Sequence, residues 1–211
     1  MNARAKRLVD EFEKKYHIYE DFCAAIYKLL NNLAVQNGYK YQIFYRIKKP
    51  KRLAEKIARK EKEGKVYKKL SDVGDLAGVR VVFYLESDKR RFIRDIKREI
   101  GSPVVVGKYD LVSGYRAEHL IITLGPERLK LSEYKKFRKL KCEVQLTSIL
   151  DHAWAEIEHD WLYKDIHGFK EKNPKKYIFI KKKMEYVFDN YVKKTGLEFE
   201  KIARRVRRYC N

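Results

Sequence analysis

The groups that could do chemistry in this chain cluster where apolar runs end. Glu143-Val144-Gln145 is the clearest case, because it sets two polar groups in an otherwise apolar segment that runs directly into a helical pattern. From Lys141 to Leu146 the residues alternate: Cys142, Val144 and Leu146 suit a core face, and Lys141, Glu143 and Gln145 share the other. Such a strand either lines an aqueous cleft or is an amphipathic strand with one solvated face, and the pattern alone fits both. In the helix that follows, His152, Glu156 and His159 fall at i, i+4 and i+7, which invites a metal reading. A catalytic zinc or di-iron centre would want a third protein ligand or a second E-x-x-H, and no partner announces itself. The expectation is a helix that buttresses the Glu143 strand, with Trp154 and Ile157 facing the core.

Three companions stand upstream, each at a boundary between a predicted strand and a loop or helix. They are Tyr45-Arg46-Ile47-Lys48-Lys49-Pro50 leading to Lys56, Asp75-Leu76-Ala77-Gly78-Val79-Arg80, and Gly114-Tyr115-Arg116-Ala117-Glu118-His119. In this order the set resembles the synthetase domain of the RelA/SpoT family. That family's pattern is R-x-K with a further lysine, D-x-x-x-x-R entering a strand, G-Y-x-x-x-H, and E-[VI]-Q before a helix ending in Tyr-Lys, here Tyr163-Lys164. The resemblance runs from about Tyr41 to Lys164.

The resemblance implies Mg²⁺-dependent transfer of the β,γ-pyrophosphate of ATP to a ribose 3′-hydroxyl, usually that of GDP or GTP. The residue types suit it, since such transfer relies on a metal, on cations around the phosphates and on an acceptor oxygen held in line. By motif match, Asp75 and Glu143 would hold Mg²⁺, which needs only one or two carboxylates beside substrate oxygens. Glu143 would also accept or orient the proton of the acceptor hydroxyl. Arg46, Lys48, Lys56 and Arg80 match positions that grip ATP phosphates. Tyr115, His119 and Gln145 match the acceptor side, the tyrosine by stacking; without the motif, a core tyrosine and a satisfied histidine would be the plain reading. Two departures, Ala117 for a serine and Thr147 for an arginine, bear on acceptor recognition.

These groups must be positioned by a scaffold. Apolar residues at helical spacing from Ala3 to Gln36, stopped by Asn37-Gly38, predict one or two helices packed on a sheet. Tyr41–Lys48 reads as a strand, and Pro50 opens a charged helix to about Gly64. Further strands are expected at 78–85, 103–108, 118–124 and 141–146, and a helix at 87–100 capped by Ser87. After Pro174, Ile178, Ile180, Met184, Val187, Tyr191, Leu197, Phe199, Ile202 and Val206 recur at spacings of one or two amphipathic helices. The fold class is α+β: a mixed sheet of about five strands flanked by helices, with a C-terminal helical extension. The resemblance makes it nucleotidyltransferase-like. Residues 1–170 would form the pyrophosphotransferase domain, and 171–211 a basic extension packed on it.

Composition sets the outer bounds. At 211 residues the chain suits one domain. It has no room for the hydrolase and regulatory domains of long family members, which predicts a stand-alone synthetase. Fifty Lys and Arg against 29 Asp and Glu leave a net charge of +21, which favours a polyanionic partner or is simply a solvated basic surface. Three widely spaced cysteines encode neither a disulfide framework nor a zinc site. The absence of a long apolar run or secretory signal predicts a cytoplasmic protein without a membrane span. The acceptor stays open: GDP or GTP for alarmone synthesis is the favoured reading. The alternative is the 3′-terminal adenosine of tRNA, as in toxic relatives that an antitoxin protein neutralises. A silent RNA- or protein-binding module is a further alternative, and a homo-oligomer is possible in each.

Overall fold

The computed structural model describes residues 2–100, 105–108, 117–163 and 168–210. Its centre is a five-stranded mixed sheet: β1 (Tyr41–Ile47), β2 (Ala77–Phe83), β3 (Val105–Lys108), β4 (Glu118–Ile122) and β5 (Cys142–Ser148), in the order β1-β2-β5-β4-β3. Only β2 and β5 run parallel, and the other neighbours are antiparallel. β5 is therefore central although it is last in sequence.

Two helices, α1 (Ala3–Lys14) and α2 (Tyr16–Gln36), precede the sheet, and Gly38 turns the chain into β1 with φ +67°, a left-handed conformation natural to glycine. α2 lays Phe22, Cys23, Ile26 and Leu30 against one sheet face, each fully buried. α3 (Pro50–Lys62) adds Leu53 and Ile57 to that core, and α4 (Glu86–Ile100) adds Phe92 and Ile96. β5 contributes Cys142, Val144 and Leu146, all at 0% exposure, so the parity read from the sequence is the one that folds. Between β4 and β5 come the short α5 (Pro126–Leu129) and a 3₁₀ stretch, Ser132–Phe137.

The helix expected to start at Ser87 begins one residue earlier. Ser87 does not cap it: its hydroxyl is buried without a hydrogen-bond partner, and its backbone N–H donates to Glu200 Oε1 at 2.7 Å. A carboxylate from the C-terminal region thus takes the place of a local cap.

α6 (Ile149–Glu158) follows β5 without a loop, and Ser148 Oγ accepts the Asp151 N–H at 3.1 Å as its cap. A π turn, His159–Tyr163, extends it, and the remaining helices are α7 (Phe169–Lys172), α8 (Pro174–Val187), a second π turn Phe188–Val192, and α9 (Lys193–Tyr209). Trp154 faces inward, packing edge-on against Phe188 with ring centroids 5.1 Å apart. Ile157 does not; it is 53% exposed. Of the nine apolar residues read as a stripe in α8 and α9, Met184 and Val187 are half-buried and the other seven are exposed. The extension is instead held by Phe188, by Glu200 on Ser87, and by Arg207 on the buried Asp88 at 3.3 Å. No helix among the described residues is long and apolar enough to cross a membrane.

Candidate active site

The sheet face opposite α2 carries the polar groups in two rows. Strand register places Arg46, Gly78, Glu143 and Ile121 in one row, and Phe44, Arg80, Gln145 and His119 in the next. Because side chains alternate, both rows present to the same side. Eight residues from four strands thus meet over one patch.

At its centre is Glu143. His119 Nδ1 lies 3.0 Å from Glu143 Oε1, and Gln145 Nε2 donates to Oε2 at 3.0 Å, so both carboxylate oxygens are held. Burial pushes the Glu143 carboxyl up, as does the charge of nearby Asp75. The hydrogen bond and charge of His119, with help from Gln145, outweigh them and leave it below the ordinary carboxylate range. It is an ionised, oriented acceptor.

Beside it stands Asp75, on the turn that feeds β2. Its Oδ2 takes Lys56 Nζ at 2.6 Å and Lys48 Nζ at 3.1 Å, while its Oδ1 is buried with no hydrogen-bond partner. Burial raises this carboxyl too, but the charges and hydrogen bonds of Lys56 and Lys48 prevail and lower it. Lys48 is fixed by its place just past β1, where its N–H bonds the Leu76 carbonyl at 2.9 Å, and Lys56 by the buried anchors Leu53 and Ile57 on α3.

Two cavities meet at Asp75 and Arg46. One, of about 350 Å³, is bounded by Phe44, Gly78, Arg80, Glu143, Gln145 and α6. The other, of about 840 Å³, is walled by Lys48, Lys49, Arg52, Lys56 and Arg59. One is a slot over the sheet with a carboxylate at its base, the other a cationic trough. The pair can take a flat group and a phosphate chain together.

Sequence reasoning placed Arg46, Lys48, Lys56, Asp75, Arg80, His119, Glu143 and Gln145 as candidates, and the fold brings all eight together. His119, matched to the acceptor side by the motif, is buried to 8% exposure and stands as a partner of Glu143. Tyr115 and Lys164 lie outside the described residues. Glu156 and His152, considered for a metal, line the slot instead: Arg80 donates to Glu156 Oε1 at 2.6 Å and to Gln145 Oε1 at 3.2 Å. His152 Nδ1 lies 3.6 Å from Glu156, and burial followed by the charge of Arg80 lowers its pKa. His159 lies on the trough instead. Among the described residues no group of three His, Cys, Asp or Glu is placed to hold a metal. Arg52 and Arg59 were missed, although their i, i+4, i+7 spacing with Lys56 marks one face of α3. Thr147 and Ala117 are both buried, and the Thr147 hydroxyl donates to the Ser148 carbonyl at 3.3 Å, so neither sends a charge into the slot.

A family model for the region found in RelA / SpoT proteins matches residues 45–168, which hold every one of these groups. The chain belongs to the RelA/SpoT family. GTP pyrophosphokinase YwaC of Bacillus subtilis is 29% identical over 124 residues, 56% of either chain, so the match spans about half the length of that relative. Among solved structures, a GTP pyrophosphokinase family protein from Streptococcus pneumoniae superposes with TM-score 0.72 at 20% identity, covering 94% of this chain and 96% of that one. The small alarmone synthetase 1 from Bacillus subtilis bound to its product pppGpp gives 0.71 at 18% identity, covering 94% and 99%. At such identities the likeness is one of fold, and the RelA/SpoT assignment rests on the family match.

Proposed function

We propose that this RelA/SpoT protein is a pyrophosphokinase that moves the β,γ-pyrophosphate of ATP to the ribose 3′-hydroxyl of GDP or GTP. The observation that carries the reading is Glu143, ionised and held on both oxygens at the junction of a slot and a cationic trough. The trough suits a triphosphate: Arg46, Lys48 and Lys56 line it, and Arg80 stands on the adjoining wall. Glu143 is placed to accept the proton of an acceptor hydroxyl as its oxygen attacks phosphorus. His119 and Gln145 act as positioning residues that keep the carboxylate aimed.

Two features fit a magnesium ion. Asp75 Oδ1 is buried yet has no hydrogen-bond partner, and Asp75 is close enough to Glu143 for its charge to oppose ionisation there. Asp75 and Glu143 would hold the ion, which offsets negative charge on the phosphate oxygens when bound. The relatives support the acceptor, one being named a GTP pyrophosphokinase and another described with pppGpp as its product.

The decisive experiment offers γ-labelled ATP and Mg²⁺ with GDP, GTP or deacylated tRNA in separate reactions. Label on GDP or GTP is expected. Label on tRNA alone would overturn the acceptor while keeping the transfer chemistry, and label on none would overturn the activity.

A further inference from the structure

A second cleft, apart from the Glu143 slot, opens between α4, the first turn of α6 and α9, and encloses about 700 Å³. That is the size of small-molecule sites. Arg90 and Arg94 line it from α4, one helical turn apart, and Lys193 and Arg204 line it from α9. Leu150 and Phe188 give it apolar lining as well. The surface is thus both cationic and apolar.

Most carboxylates around it are already engaged. Glu86 takes Lys89 at 2.9 Å and Arg90 at 3.3 Å, Glu200 accepts the Ser87 N–H, and buried Asp88 takes Arg91 and Arg207. Asp151, in the first turn of α6, is a further acidic group at the rim and has an interaction of its own. Among the described residues Arg94 and Lys193 have no carboxylate partner, and Arg204 is held by one bond, from Nε to the Glu200 carbonyl at 3.3 Å. Cations without counter-charge repel one another, and gathered around a concavity their field concentrates anions. A bounded cleft favours a short phosphate chain over a nucleic-acid backbone, which wants an open track.

We propose that this cleft is a second polyphosphate site, in which Arg94, Lys193 and Arg204 grip the phosphate chain of a free nucleotide or of inorganic polyphosphate. It is independent of the cavity around Glu143. If a nucleotide is the source, its base covers Leu150 and Phe188; if an inorganic chain is, they stay uncovered.

Equilibrium dialysis of inorganic tripolyphosphate, and separately of ATP without Mg²⁺, tests this on the full chain. The parent should take up two equivalents of tripolyphosphate. The R94E/K193E/R204E variant should lose one, with affinity at that site falling at least tenfold, whereas K48A/K56A should keep it. A control of equal charge change, K62E/K65E/K68E on the exposed end of α3 and its following loop, should keep both. Uptake of ATP at the cleft identifies a nucleotide source, and uptake of tripolyphosphate alone identifies an inorganic one. Two equivalents retained in the triple variant, an equal loss in the control, or a single equivalent abolished by K48A/K56A would each overturn the proposal. Should the triple variant not fold, R94E alone, at an exposed position on α4, carries the same test. If the pyrophosphokinase reading fails, an equivalent lost only with R94E/K193E/R204E still stands.

Discussion

Glu143 is a carboxylate whose environment does two things at once, holding it ionised and holding it still. Glu143→Gln keeps the shape and loses the charge, so transfer should fall by about 10²–10⁴, the range for a lost general base, with the unfolding midpoint within a degree or two. Rapid-quench assays with saturating ATP, Mg²⁺ and acceptor check it. His119→Phe separates the two duties. Without its hydrogen bond and charge the Glu143 carboxyl should rise toward the ordinary range, so the acid limb of the pH–rate profile should move to higher pH. An unmoved limb with a merely lower rate would make His119 a packing residue. Asp75 lends itself to a stability test. A carboxyl held below its ordinary value adds stability that is full above the unfolded pKa, about 4, and is lost as pH falls through the lower folded value. Asp75→Asn should therefore lower the melting temperature at pH 7, with the gap to the parent closing as pH drops below about 4. Of these groups, Glu143 and Gln145 were legible because strand alternation separates them from the core. The ion pairs of Asp75 were not, since spacing in sequence says nothing about which lysines a turn will meet.

The elements show where sequence periodicity succeeds and where it stops. Strand β5 was readable because its apolar residues face one core with a period of two, and β2 as a near-continuous apolar run, whereas α8 and α9 carry apolar residues at helical spacing that point outward. Periodicity reveals that a face exists, not which face is docked. The docking is done by Phe188, which lies in a π turn between helices and was not among the marked residues. Truncating an aromatic in a well-packed core costs about 3–5 kcal/mol. In the small cluster of Trp154, Ala155 and Phe188 a loss of that kind should fall on the C-terminal helices. Phe188→Ala should make residues beyond 168 several-fold more sensitive to limited proteolysis while hydrogen exchange in β2 and β5 stays slow. Acceleration across the sheet as well would show that the extension belongs to one cooperative unit with it.

Across the whole molecule, a net charge of +21 surrounds a cationic trough that suits a phosphate chain. Such a field raises encounter rates with charged substrates and is screened by salt, the Debye length shrinking from about 14 Å at 50 mM to about 4 Å at 500 mM. The specificity constant kcat/KM for ATP should fall several-fold over that range while kcat changes little, as steady-state assays at fixed free Mg²⁺ would register. A parallel fall in kcat would place the effect on the chemical step. The sheet order carries a mechanical consequence of its own. Arg46 on β1 and His119 on β4 flank Glu143 from opposite sides, separated by three strand-to-strand steps. At about 4.8 Å per step that span is about 14–15 Å. It is a ruler made of backbone hydrogen bonds, so lengthening or replacing surface loops leaves the gauge between Arg46 and His119 unchanged, and only shifting a strand's register would reset it.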